Sequence, residues 1–167
     1  MNSNMKKAII TILMVLLPLW AVAANIDFDQ YKEKNIFKGK PAKPNLTTHK
    51  EARRYRTAIR EQAKEGPNFA GRFTIIEIGC GTSCVSIAVV NAETGEVYLP
   101  RNPNLITWGG WWHDLYGPEF KLNSRLLIVY GQVNSDDVPY GISYYEWQGK
   151  DFKLIHFEQQ DRGKPPE

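Results

Sequence analysis

Cys80 and Cys84 are the only cysteines in the chain, and they bracket Gly81, Thr82 and Ser83 in the stretch EIGCGTSCVSI. A Cys-x-x-x-Cys pair suits three chemistries: thiol exchange, soft-metal binding with a distant imidazole, or a disulfide. Reactive thiols sit at helix N-termini or beside cations. Here the flanks RFTIIEIG and VSIAVV are β-branched and aromatic, and Gly79 and Gly81 mark a turn between them. A hairpin with a three-residue tip would set the two cysteines opposite each other, within the span a disulfide needs. The expectation is therefore a stapled tip presenting Thr82 and Ser83. Closing so short a loop contributes roughly 2 kcal/mol in the chain-entropy picture, so the staple serves the tip's shape more than the fold. The rival reading is copper or thiol handling, with His49, His113 or His156 as a further ligand. The GCG element lacks the lysine and following helix of a phosphate loop.

A second group of residues suits recognition. Trp108, Trp111, Trp112, His113, Asp114 and Tyr116 fall within nine positions, with two glycines and no strand or helix period. Long ordered loops of this kind are often functional. Aromatic side chains provide large contact area at low entropy cost, so they anchor interfaces and stack on sugar rings. The plainer reading places some of these rings in the core. No catalytic residue stands out: the chain has no Gly-x-Ser-x-Gly, His-Glu-x-x-His or Ser-x-x-Lys element. Glu77, Asp114 and Glu119 are candidate carboxylates for glycoside hydrolysis, but their spacing does not single them out. The reading leans away from an enzyme and calls for no cofactor and no resident metal.

Both groups depend on compartment. Lys6 and Lys7 precede an apolar run from Ala8 to Trp20 and an AVA site, the pattern of a secretory signal cleaved near Ala23. The run is short for a membrane span, and no cysteine follows it to carry a lipid. The expected product is periplasmic or secreted, without a membrane anchor. Thiols meet an oxidising environment there, which favours the disulfide. Losing the signal removes two lysines and leaves 19 basic against 18 acidic side chains, about +1 overall. So balanced a charge argues against nucleic acid or another bulk polyanion as partner.

The elements that must position these residues form one domain, 48–167, after an irregular segment 24–47 broken by Pro41 and Pro44. The pattern predicts a helix over 48–65, with Thr48 and Glu51 as a capping box and Gly66-Pro67 as the stop. Ala52, Tyr55, Ile59 and Ala63 make its apolar stripe. Arg53, Arg56, Arg60 and Lys64 repeat that spacing one residue later, as a solvated face or as a patch for an acidic partner. Strands are expected at 72–79, 84–91, 96–99, 125–132, 141–147 and 151–157, with tight turns at Glu93–Glu96 and Gln148–Asp151. The fold class is α+β: one amphipathic helix on an antiparallel sheet of about six strands, arranged as two three-stranded meanders.

The stretches EGPNFAGRFTIIEIGCGTSCVSIAVVNAETGEVY, FKLNSRLLIVYG and YYEWQGKDFKLI resemble a family of small exported bacterial proteins of unassigned function. The segment NFAG…GCGTSC is the specific part. The resemblance spans residues 48–157 apart from the tryptophan-rich loop, implies a Gram-negative periplasmic setting, and carries over no catalytic residue. The resulting expectation is a non-enzymatic binding protein of the envelope, of inhibitor or immunity type, docking through the loop and the tip. An envelope protein is the first choice of partner and a glycan the second.

Overall fold

The computed structural model describes residues 25–110, 114–134 and 138–161. A 3-10 turn, Ala52–Tyr55, leads into helix α1, Arg56–Ala63. Eight strands follow among the described residues: β1 Phe73–Gly81, β2 Cys84–Asn91, β3 Val97–Tyr98, β4 Leu105–Thr107, β5 Gly117–Phe120, β6 Leu126–Val133, β7 Gly141–Trp147 and β8 Phe152–Gln159. The class is α+β, with eight strands rather than about six. The two additional ones, β4 and β5, are three and four residues long and flank the tryptophan-rich loop. They are too short for an alternation pattern to register.

Both meanders form, β1-β2-β3 and β6-β7-β8, and β4 joins them into a single antiparallel sheet in the order β1-β2-β4-β6-β7-β8. On one edge, β2 pairs with β3 near its end and with β4 near its start. In the same way, β6 pairs with β5 along Leu127–Tyr130 and with β4 at Gln132 and Val133. Close approach of β4 to β6 requires Gly131, at φ +135°, where a Cβ would collide with the carbonyl oxygen of Thr107.

The sheet curls around one core. Phe69, Ile75, Val85, Ile87 and Val89 from the first half meet Leu127, Val129, Tyr145 and Trp147 from the second. Trp147 on β7 lies 5.2 Å from Phe73 on β1, ring centre to ring centre, and 5.8 Å from Tyr98 on β3. A second core occupies the outer face of the first half. Ile76, Ala88, Val90 and Val97 pack there against Ala52, Ile59 and Ala63 of the helical segment. The alternation in β2, with Val85, Ile87 and Val89 inward and Ala88 and Val90 outward, therefore reads as a strand buried on both faces.

The helical segment spans 12 residues, 52–63, and the expected capping box is absent. The Thr48 hydroxyl is engaged elsewhere. It accepts from the Val97 N–H (2.9 Å) and donates to the Asn45 carbonyl (2.8 Å), tying the incoming chain to β3. Among the described residues no side chain caps the 3-10 turn or α1.

The free edge of β1 is covered by side-chain amides. Asn68 accepts from the Ile75 N–H (2.8 Å) and donates to its carbonyl (3.2 Å). Gln62 treats Glu77 the same way, at 2.9 and 2.8 Å. Two amides thus stand in for a ninth strand and block edge-to-edge pairing. Phe69 then enters the core, Ala70 and Gly71 take positive φ (44° and 76°), and their N–H groups reach Ser124 and Leu122. A Cβ on Gly71 would strike the Asn35 carbonyl.

Two outcomes follow. Asn68→Ala should cost about 1–3 kcal/mol in chemical denaturation, because it leaves buried backbone groups of Ile75 unpaired. Gln62→Ala should stay within about 0.5 kcal/mol, since water can reach exposed Glu77. Burial pushes the Tyr145 hydroxyl up to about 12, against a smaller opposing pull from Ser143. A folded pKa above the unfolded value favours the neutral form. Its contribution is therefore complete below pH about 10 and lost as pH rises through about 12, some 3 kcal/mol in all. Tyr145→Phe should flatten that part of the alkaline stability profile.

Candidate functional site

Cys80 and Cys84 are joined by a disulfide with Cα atoms 5.3 Å apart, and no free cysteine remains among the described residues. The geometry differs from a symmetric three-residue hairpin. Gly79 pairs with Val85 and Gly81 with Cys84, so the register shifts and Cys80 is the extra residue of a bulge. The turn itself is Thr82-Ser83, with Ser83 at φ 53° and Gly81 at φ +141°. Gly79, Cys80, Gly81 and Thr82 are all exposed. The staple lies outside both cores, as expected of a device that shapes a tip.

The tryptophan segment leaves the sheet beside that tip. Strand β4 pairs Thr107 with Cys84, and the next N–H, that of Trp108, donates to the Ser83 carbonyl at 3.0 Å. The Trp108 ring is half-buried: it packs against the inner core and lies over Gly117, where a Cβ would sit 3.4 Å from the indole. Its other neighbour is the Tyr116 ring, 5.7 Å away and inclined by 32°. Tyr116 is 62% exposed and the adjacent Leu115 54%. The Tyr140 hydroxyl donates to the Gly109 carbonyl (3.0 Å) and holds the outgoing loop. Trp108 is therefore the wall on which the exposed Tyr116 is mounted. Trp111, Trp112 and His113 lie outside the described residues.

The sheet thus brings Thr82, Ser83, Trp108 and Tyr116 into one region through the β2–β4 pairing and the Trp108–Ser83 hydrogen bond. Sequence reasoning named these residues but not Leu115, Gly109 or Tyr140. Only the short pairing of β4, invisible to periodicity, connects them. Compared with known proteins, the chain matches no family model, no curated protein and no solved structure.

The titratable groups of the region are held individually. Tyr130 donates to Glu119 at 2.9 Å, and burial first, then this carboxylate, raises its pKa well above the ordinary tyrosine range. On the neighbouring strands Tyr144 is raised by burial and by Glu158, and His156 lies 3.4 Å from Glu158. Glu77 is raised by partial burial beside the helix, although its side chain keeps solvent contact. Of the three carboxylates considered for hydrolysis, Glu119 is thus bound to Tyr130, Glu77 stands on β1 and Asp114 is exposed on the loop. Among the described residues no group of three or more His, Cys, Asp and Glu could hold a metal. No helix among them is long and apolar enough to cross a membrane.

Replacing both cysteines by serine should lower stability by about 2 kcal/mol or less. Amide exchange should quicken at residues 81–83 and at Trp108, while the β6–β8 meander keeps its protection. Global unfolding of the double variant would show instead that the staple is required for folding.

Proposed function

We propose that this chain is an exported, non-enzymatic binding protein of the bacterial envelope that docks on a partner protein through the stapled tip and the adjoining 108–116 loop. The observation that carries the reading is the backbone hydrogen bond from Trp108 to Ser83, which couples an exposed disulfide tip to an exposed aromatic ledge. A rigid tip beside Tyr116 and Leu115 has the form of a surface that inserts into a partner's cleft: little ordering cost and a central aromatic anchor. The signal-like N-terminus, the disulfide and the resemblance to small exported proteins support the envelope setting. The role that fits is inhibition of an envelope hydrolase or toxin, or immunity to one. A glycan is the second ligand for the same face, on the strength of the exposed Tyr116 ring.

The test is capture from periplasmic and outer-envelope extract with the oxidised protein as bait, followed by affinity measurement on the purified partner. Tyr116→Ala should weaken binding by about thirtyfold, some 2 kcal/mol, and leave stability within about 0.5 kcal/mol. Alanine at Asp114 and Glu119 should leave it largely intact. A partner whose affinity is indifferent to Tyr116 and to reduction of the disulfide would refute the reading. Retention on peptidoglycan fragments, lost in Tyr116→Ala, would reassign the ligand to a glycan.

A further inference from the structure

A different face carries a second proposal. Two arginines at the starts of strands have carboxylate partners: Arg72 meets Glu93 at 2.9 Å and Arg125 meets Glu146 at 3.2 Å. Those on the helical segment are another matter. Arg53, Arg56 and Arg60 are exposed, point along one stripe, and have no carboxylate partner among the described residues. All three line a cavity of about 410 Å³ that is lined on its other side by residues 44–47. Arg54, by contrast, is turned away onto the Tyr55 ring.

A second cavity, about 370 Å³, continues from the first through Pro44 and Arg60, which line both. Its floor is apolar, from Pro41, Ala42, Pro44 and Ala63, and Lys40, Lys43 and Lys64 stand around it. The one acid there, Glu61, is already paired with Lys64 at 2.8 Å, and Glu65 lines neither cavity. Six basic side chains therefore share one groove, and five of them have no carboxylate partner among the described residues. Like charges held together without counter-charges repel, and an anionic ligand relieves that repulsion.

Length and shape define the ligand. Arg53 and Arg60 are separated by about 10 Å along the helical axis, so the three arginines form a row rather than a single point of charge. Alternate residues of an extended peptide place side chains about 7 Å apart on one side, so two or three carboxylates match the arginine stripe. Guanidinium groups receive carboxylates in two-point contacts. The apolar floor beyond Arg60 then receives an apolar side chain. We propose that the groove between residues 40–47 and the helical segment binds an extended acidic peptide of a partner protein that ends in an apolar residue. The surface is separate from the tip and does not depend on the role assigned there.

The probe is a fluorescein-labelled peptide in which aspartate alternates with serine and two leucines follow, titrated by anisotropy against the full oxidised chain. Arg53→Gln, Arg56→Gln and Arg60→Gln combined should weaken binding at least about tenfold, and raising salt from about 20 to 150 mM should weaken it further. Removing the leucines should also reduce affinity, whereas Tyr116→Ala should not. The three arginines are exposed, so circular dichroism should show an unchanged fold. Absence of peptide binding up to about 1 mM, weaker than any useful recognition, would overturn the proposal, as would affinity that the triple variant leaves unchanged. Binding to phosphatidylglycerol vesicles but not to the peptide would overturn it too, and would give the groove to a lipid surface.

Discussion

The aromatic cluster around Trp147 is the contact on which the rest depends. Its indole meets Phe152 at 4.8 Å, Phe73 at 5.2 Å, Tyr98 at 5.8 Å and Phe69 at 6.3 Å, ring centre to ring centre. These partners come from both meanders and from the segment before β1, so one side chain holds the curled sheet closed on itself. Edge-on and tilted ring pairs add to the gain from burial. The indole N–H has no hydrogen-bond partner among the described residues, an opposing cost of about 1–3 kcal/mol. Shape outweighs polarity at this position. β1 and β8 remain unpaired with each other at the two ends of the sheet, so ring packing rather than strand pairing brings the two halves together under the tip.

The four residues Asn68–Gly71 complete that closure from the outside. Asn68 pairs the β1 edge, Phe69 fills the core beside Trp147, and Ala70 and Gly71 turn the chain toward the 121–125 loop. This explains one half of the NFAG…GCGTSC pattern as architecture. The other half has no comparable structural duty. The cysteine tip is exposed, lies outside both cores, and meets the body through β4 and the Trp108 N–H. A rigid, exposed element positioned by a packed sheet is where binding residues are disproportionately found.

Charge distribution follows the same division. Arg72 and Arg125 beside the sheet have carboxylate partners, and Arg53, Arg56 and Arg60 of the helical segment have none among the described residues. The nearly balanced total therefore conceals a local excess. Net charge speaks for the chain as a whole and is blind to segregation of charge on its surface. Thr48 shows the same limit on a smaller scale. The capping-box spelling is present, but the hydroxyl serves β3, because a tertiary hydrogen bond across 49 residues displaced a local one.

What the sequence by itself determined is local and periodic. β-branched alternation located six of the strands within a residue or two, the 3.6-residue stripe picked out Ala52, Ile59 and Ala63, and glycine marked the turns at Gly95 and Gly149. The cysteine pairing was legible for the same reason, since four residues of separation leave the chain few other arrangements. The tertiary structure alone decided the rest. β4 and β5 are strands because neighbouring edges need partners, not because three or four residues prefer that conformation. Trp108 became a wall because Gly117 leaves room for its indole, and Tyr116 is the exposed ring mounted on it. The helical arginines acquired a groove because Pro44–Thr47 crosses beside them. Such outcomes depend on contacts between segments distant in the chain, and spacing within a segment carries no information about them.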